Sequence, residues 1–112
     1  MISDSGGRSG IIEIGGYIFD GPFDTPLELH DRPGVYVILD VRGSFRRIID
    51  VGESPTVRSR VMDHDRRICW VQKSRGTLKV AVHYTHSAQL LWRKQIKEEL
   101  SKHFGPPCQG EP

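Results

Sequence analysis

The stretch that decides the fold is residues 46–64, RRIIDVGESPTVRSRVMDH, which has the pattern of a strand, a turn and a helix. Its first part contains Ile48-Ile49 and Val51, and β-branched residues in such a run are typical of a strand. Gly52 follows and permits a turn that a side chain would crowd. The sequence therefore predicts a strand over residues 46–51 and a turn at Gly52.

The second part of this stretch predicts a helix from Pro55 to about Asp65. Ser54 precedes Pro55, and a serine oxygen can accept from the free N–H groups of a helix start, where proline is also tolerated. Arg60 and His64 are four residues apart, so both lie on one face of this helix. An arginine and a histidine together after a strand are candidate site residues.

Two further strands are predicted before this stretch. Residues 34–40, GVYVILD, are rich in β-branched and aromatic residues, which is typical of a strand. The turn residues 42–44 separate them from residue 46, so the two strands should pair as an antiparallel hairpin. Residues 11–19, IIEIGGYIF, predict a strand pair or one bent strand, broken at Gly15-Gly16.

The chain after residue 64 adds one strand and one helix. Residues 65–76 are basic and predict an irregular segment, whereas residues 77–85 alternate apolar and polar side chains as a half-buried strand does. Residues 88–104 predict a helix that ends at Gly105. Its apolar side chains recur every four residues and should form core: Trp92, Ile96, Leu100 and Phe104.

These elements predict an α/β fold of the α+β type. We expect a small mixed or antiparallel three-stranded central sheet flanked by helices, with an N-terminal β extension. A chain of 112 residues suits one small domain. Residues 1–10 are predicted to be a flexible N-terminus, and residues 11–112 to be the single domain.

Composition favours a cytoplasmic protein without a membrane partner. The chain has no apolar run of about 18 residues, the length that a membrane span needs, and its start, MISDSGGRSG, lacks the pattern of a secretory signal. The two cysteines, Cys69 and Cys108, do not make a disulfide framework, which favours a reducing compartment.

Charge is unevenly distributed along the chain. Residues 1–40 contain seven acidic and two basic residues, a balance of −5, whereas residues 41–112 contain fourteen basic and seven acidic residues, a balance of +7. A basic surface attracts phosphates, although a solvated surface of mixed charge gives the same count. The candidate nucleic-acid contacts are Arg58, Arg66, Arg67, Lys73, Arg75 and Lys97.

The predicted hairpin carries the two tripeptides Gly34-Val35-Tyr36 and Asp50-Val51-Gly52. Arg60 follows ten residues after Asp50, His64 comes next, and residues 93–100 have the form R-x-x-I-x-x-x-L before a Pro-Pro-Cys ending. In this order, residues 34–109 resemble the GIY-YIG nuclease superfamily.

The resemblance implies phosphodiester hydrolysis of nucleic acid, DNA in preference to RNA, by an endonuclease that uses Mg²⁺ or Mn²⁺. In that family a tyrosine activates the attacking water, an arginine holds the phosphate, and a glutamate on the last helix holds the metal. Transferred to this chain, the implied catalytic residues are Tyr36 and Arg60, with His64 and Asp50 as further members. His64 could equally be a helix C-terminal histidine, and Asp50 could instead form an ion pair with Arg60 or Lys97.

Three positions depart from the family pattern. The tyrosine of the second motif is Asp50, the metal-binding glutamate is Lys97, and the final asparagine is Gln109. A cation cannot bind Mg²⁺, which requires oxygen ligands, and the neighbouring Glu98 is rotated by about 100° around the helix, so it takes that place only after a register shift. Three functions therefore remain open: a nuclease with a variant site, an inactive nucleic-acid-binding module, or a protein-interaction domain.

Overall fold

A computed structural model describes residues 10–109, so the predicted flexibility of residues 1–9 lies outside the described part of the chain. Five strands and three α-helices follow one another along it. They are β1 (Ile11–Ile14), β2 (Tyr17–Phe23), β3 (Gly34–Arg42), β4 (Phe45–Ser54), α1 (Val57–Met62), α2 (Arg67–Lys73), β5 (Thr77–Tyr84) and α3 (Leu90–Phe104), with a short 3₁₀ turn at Pro26–Glu28.

The strands form one antiparallel sheet in the order β1-β2-β5-β3-β4. The α+β class is confirmed, but the expected three-stranded central sheet is wrong, because the sheet has five strands. The sequence suggested a β extension, whereas β2 pairs directly with β5. The N-terminal hairpin is therefore part of the sheet.

Each face of the sheet has its own apolar cluster. On the first face, which we call the α1/α2 face, the strands pack against the two short helices and bury Tyr36, Ile38, Ile49, Val57, Val61, Trp70, Val80 and Val82. On the opposite face, the α3 face, the buried residues are Ile14, Phe19, Val35, Val37, Leu39, Val51, Ala81, Ile96 and Leu100. This two-sided burial explains the nearly continuous apolar run of β3.

The β3–β4 hairpin is confirmed, but both strands are longer than predicted. Gly52 is not a turn residue: it lies in β4, directly opposite Tyr36. Helix α1 is shorter than predicted, since it spans only Val57–Met62. The prediction that His64 shares a face of this helix with Arg60 is therefore wrong, because His64 lies beyond its end. Ser54 is not its cap, because the Ser54 hydroxyl accepts from the N–H of Thr56, ahead of the helix.

Two segments in the second half of the chain also differ from the prediction. The segment predicted to be irregular contains α2 at Arg67–Lys73, which no side chain caps and whose start the sequence therefore does not signal. Helix α3 ends at Gly105 in the left-handed conformation, as predicted. Ile96 and Leu100 are buried as expected, but Trp92 and Phe104 are exposed.

The two cysteines are joined, although the sequence was not expected to contain a disulfide framework. Cys69 on α2 and Cys108 in the C-terminal tail form a disulfide. The tail leaves α3 on one face of the sheet and reaches the β4 edge, where the N–H of Cys108 donates to the carbonyl of Ile49 at 3.0 Å. No helix in the described residues is long and apolar enough to cross a membrane.

Candidate functional site

The candidate site is built around Tyr36, whose ring lies across Gly52 of the neighbouring strand. The two residues are directly opposite in the β3–β4 pair. A Cβ at position 52 would overlap the ring and hydroxyl of Tyr36, so only glycine leaves room for this ring. The glycine that we predicted to form a turn therefore holds the tyrosine in place.

The buried hydroxyl of Tyr36 is hydrogen-bonded to His64. The distance from Tyr36 Oη to His64 Nε2 is 2.7 Å, and His64 Nδ1 accepts from the backbone N–H of Arg66 at 3.0 Å. The network assigns the proton of neutral His64 to Nε2, because Nδ1 is already an acceptor. His64 therefore donates to the tyrosine oxygen, and the hydroxyl proton of Tyr36 is free to donate to another group.

Burial fixes the protonation states of this pair. Burial, together with the positive charge of Arg60, lowers the pKa of His64 to about 4. Burial also raises the pKa of Tyr36 to about 12, although the charge of Arg60 opposes that rise. At neutral pH both side chains are therefore uncharged, and Tyr36 is a hydrogen-bond donor rather than a base.

Arg60 is the solvent-facing member of this cluster. Its guanidinium lies close enough to Tyr36 and His64 to affect the pKa of both. Arg60 Nη2 forms an ion pair with Asp65 Oδ1 at 3.1 Å, and the two side chains are 38% and 74% exposed. Ion pairs this exposed contribute little to stability, so an external anion can compete with Asp65 for Arg60.

Asp50 is buried beneath the cluster, and its carboxylate accepts four hydrogen bonds. Arg66 Nε and Nη2 donate to it at 2.7 and 3.1 Å, Trp70 Nε1 donates at 2.8 Å, and the N–H of Val51 donates at 2.8 Å. Asp50 is thus in an ion pair, as one reading of the sequence anticipated, but its partner is Arg66 and not Arg60 or Lys97. All of its accessible lone pairs have donors.

The sequence does not predict the contacts that Arg66 and Trp70 make in this cluster. Arg66 was a candidate nucleic-acid contact, yet its guanidinium is held by Asp50. That ion pair raises the pKa of Arg66, even though burial alone would lower it. Trp70 is buried, and the sequence does not signal its hydrogen bond to Asp50. The separations of 16 and 20 residues cross a loop and a helix start, and no sequence pattern reports such contacts.

The described residues do not fit the magnesium site that the resemblance implies. Within residues 10–109, no group of three His, Cys, Asp or Glu side chains is placed to hold a metal ion. Helix α3 packs on the sheet face opposite Tyr36; on it Glu98 is exposed and Lys97 is half-buried. Gln109 accepts from the hydroxyl of Ser101 at 2.9 Å. Two carboxylates lie beside this cluster. Asp50 is occupied by its four donors, and Asp65 Oδ1 lies 3.1 Å from Arg60 Nη2 and 3.2 Å from His64 Nδ1.

The remaining candidate contacts lie at the surface. The exposed basic side chains are Arg58, Arg67, Lys73 and Arg75. Arg67 Nη1 donates to the carbonyl of Met62 at 3.2 Å, which leaves most of its guanidinium available. Arg58 is on α1 with Arg60, whereas Lys73 and Arg75 lie at the far end of α2.

Comparisons with family models, with curated proteins and with solved structures found no match to this chain.

Proposed function

We propose that this protein binds the phosphate backbone of nucleic acid at Arg60, on a scaffold like that of the GIY-YIG nucleases, with a site that is not built for the family's metal-dependent cleavage. The observation that carries the proposal is the direction of the hydrogen bonds around Tyr36. His64 donates to the tyrosine oxygen, so the Tyr36 hydroxyl and the Arg60 guanidinium are both available to donate to a ligand.

These two donors suit an anion, which would take the place of Asp65 on Arg60. Arginine matches the geometry of phosphate and holds it with parallel N–H bonds. Two guanidinium groups, of Arg60 and Arg66, lie near Tyr36, and the carboxylate of Asp50 is hydrogen-bonded to one of them. A divalent cation at the same place would meet the charges of Arg60 and Arg66, while Asp50 is held by its donors and Asp65 is paired with Arg60.

The surface around Arg60 supports contacts with several phosphates. Arg58 lies on the same helix, and Arg67 follows at the start of α2. We propose double-stranded DNA as the preferred ligand, because such contacts require only a regular array of phosphates. Trp70, the aromatic side chain that could have stacked on an unpaired base, is buried, and stacking is the usual means of holding single strands.

Metal-dependent phosphodiester hydrolysis is the second candidate function. The observation that favours it is that Tyr36, Arg60 and His64, which match the family motifs, are gathered in one cluster. Because the described residues do not provide the metal ligands, Glu98 would have to act from the other side of the sheet. The geometry therefore supports binding better than it supports cleavage.

Binding is tested by titrating labelled duplex DNA at two salt concentrations with the parent protein, Arg60→Gln and the control Arg46→Gln. Arg46 is an exposed arginine near the opposite end of β4. We expect Arg60→Gln to weaken binding roughly three- to tenfold and to reduce the salt slope by about one, and Arg46→Gln to have little effect. Equal losses in both variants, or no binding at low salt, would contradict the proposal.

A cleavage assay separates the two candidates. The protein is incubated with single- and double-stranded DNA and RNA, with Mg²⁺, with Mn²⁺ and with chelator. We expect no cleavage that depends on the metal. Cleavage that chelator stops and that Tyr36→Phe abolishes would establish the second function.

A further inference from the structure

One half of the α1/α2 face has no helix over it in the described residues. In the β1–β2 hairpin, Ile11 pairs with Asp20 and Glu13 pairs with Ile18. Opposed residues in a strand pair share a face, and Asp20 also pairs with Val82, which belongs to the α1/α2 face. All four of these hairpin side chains are exposed, Ile11 by 69%. We call them the hairpin patch: two isoleucines and two acidic residues.

Helix α2 carries the complementary combination on its outer surface. Ile68 is 72% exposed and Val71, three residues later, is also exposed, although a surface helix normally turns such side chains inward. Arg67 lies beside them. We call Arg67, Ile68 and Val71 the α2 patch.

A groove lies beside the α2 patch. A cavity of about 200 Å³ lies between α2 and β5, lined by Trp70 and Val71 on the helix side and by Leu78 and Val80 on the strand side. Strand β5 is the neighbour of β2. Each molecule therefore presents the hairpin patch and a helix with exposed apolar side chains on the same side of the sheet.

We propose that this face binds a second copy of the chain, with α2 of each molecule lying on the hairpin patch of the other. This arrangement has two-fold symmetry, because each molecule contributes both patches. It brings Ile68 and Val71 onto Ile11 and Ile18, and it places Arg67 against the acidic hairpin residues. The sequence is acidic in its first third and basic afterwards. This distribution agrees with contacts between the N-terminal hairpin of one molecule and α2 of the other. The dimer shares Arg67 with the proposed nucleic-acid surface but does not involve Arg60, Tyr36 or His64, so it is tested without nucleic acid.

The first test is sedimentation velocity over a range of protein concentrations without nucleic acid. We expect a monomer–dimer equilibrium that weakens with added salt. Ile68→Asp and Ile18→Asp should each raise the dimer dissociation constant at least about tenfold, because a charge on either patch stays unpaired in an apolar contact. Leu91→Asp is the matched control: Leu91 is 81% exposed on α3, across the sheet, and its substitution should leave the dimer unchanged.

A charge exchange tests the pairing of the two patches. Glu13→Arg and Arg67→Glu should each weaken the dimer, and the double variant should recover most of the loss. All these side chains are exposed, so thermal unfolding should confirm that each variant is folded. A monomer at every concentration would overturn the proposal. So would a dimer that Leu91→Asp disrupts, or a double variant no better than the sum of its single changes.

Discussion

His64 is the buried ionisable residue on which the pH response of this protein should depend. Its imidazole is enclosed between Tyr36 and the start of α2, and it accepts a hydrogen bond that only the neutral form can accept. Protonation in the folded state would remove that acceptor next to Arg60 and Arg66. The cluster therefore resists a charge that the unfolded chain accepts freely.

We expect stability to fall as the pH is lowered from about 6.5 towards 4. The pKa of His64 is about 4 in the folded protein and about 6.5 in an unfolded chain. Within this window the unfolded state binds more protons, so acid favours unfolding, by up to about 3 kcal/mol for a shift of this size. Urea unfolding at a series of pH values from 7.5 to about 5 measures the effect.

His64→Gln is the control for this pH dependence. Its amide can donate to Tyr36 and accept from the N–H of Arg66, yet it does not titrate. We expect the variant to lose most of the decline in stability between neutral pH and about pH 5. If the variant shows the same decline in stability, other titratable groups cause it.

Asp50 should be far more important to stability than the other carboxylate of the cluster, Asp65. Asp50→Ala leaves the half-buried guanidinium of Arg66 and the buried indole N–H of Trp70 without an acceptor, which should cost about 3–5 kcal/mol. Asp65→Ala removes an exposed partner of Arg60 and should cost less than about 1 kcal/mol. Urea unfolding of both variants measures this contrast. Similar losses of unfolding free energy would show that the ion pair of Asp50 with Arg66 is no more important to stability than that of Asp65.

At the scale of the elements, sequence pattern predicted long elements well and short ones poorly. The β3–β4 hairpin and α3 have unbroken apolar patterns and a clear turn or stop residue, and both were found. Helix α2 has seven residues and no capping side chain, so its position is set by packing of Trp70 and by the disulfide. Tertiary contacts determine such an element, and a local pattern does not encode them.

The same limit applies to the candidate site. Tyr36 and Arg60 lie on the hairpin and on the helix after it, as predicted, whereas His64 lies beyond the end of α1 and not on a helix face with Arg60. The partner of Asp50 could not be predicted, because Arg66 reaches it across the end of α1 and the chain reversal that follows. Gly52 was correctly singled out but for the wrong reason, since its role depends on the ring that crosses it from the other strand.

Among the contacts between elements, the disulfide should have the largest effect on stability. Cys69 and Cys108 are separated by 39 residues, and closing a loop of this size restricts the unfolded chain by about 4 kcal/mol in the chain-entropy account. We expect a reducing agent to lower the urea midpoint of the parent protein by the shift that corresponds to this loss of unfolding free energy. The midpoint of the variant with both cysteines replaced by serine should not change with the reducing agent. An equal change in the parent and in this variant would show that the disulfide is not the cause.

At the scale of the whole molecule, the five-stranded sheet is the feature that sequence motifs understated. The motifs span residues 34–109, so β1 and β2 looked like an appendage. In the structure β5 pairs with β2 on one side and β3 on the other, and the hairpin contributes Ile14 and Phe19 to the cluster on the α3 face. The hairpin should therefore fold and unfold together with the motif-bearing part.

Neighbouring substitutions in β2 test this integration, because successive residues of a strand face opposite sides of the sheet. Phe19 is fully buried on the α3 face, whereas Ile18 is exposed. We expect Phe19→Ala to cost about 3–5 kcal/mol of the global unfolding free energy, and Ile18→Ala to stay within about 0.5 kcal/mol when measured at low protein concentration. The decisive measurement is hydrogen exchange in β3 and β5 of the Phe19→Ala variant. If the hairpin is integral, the slowest amides of both strands lose protection together with β2. If only β1 and β2 lose protection, the hairpin is an appendage and the motif-bearing part is stable without it.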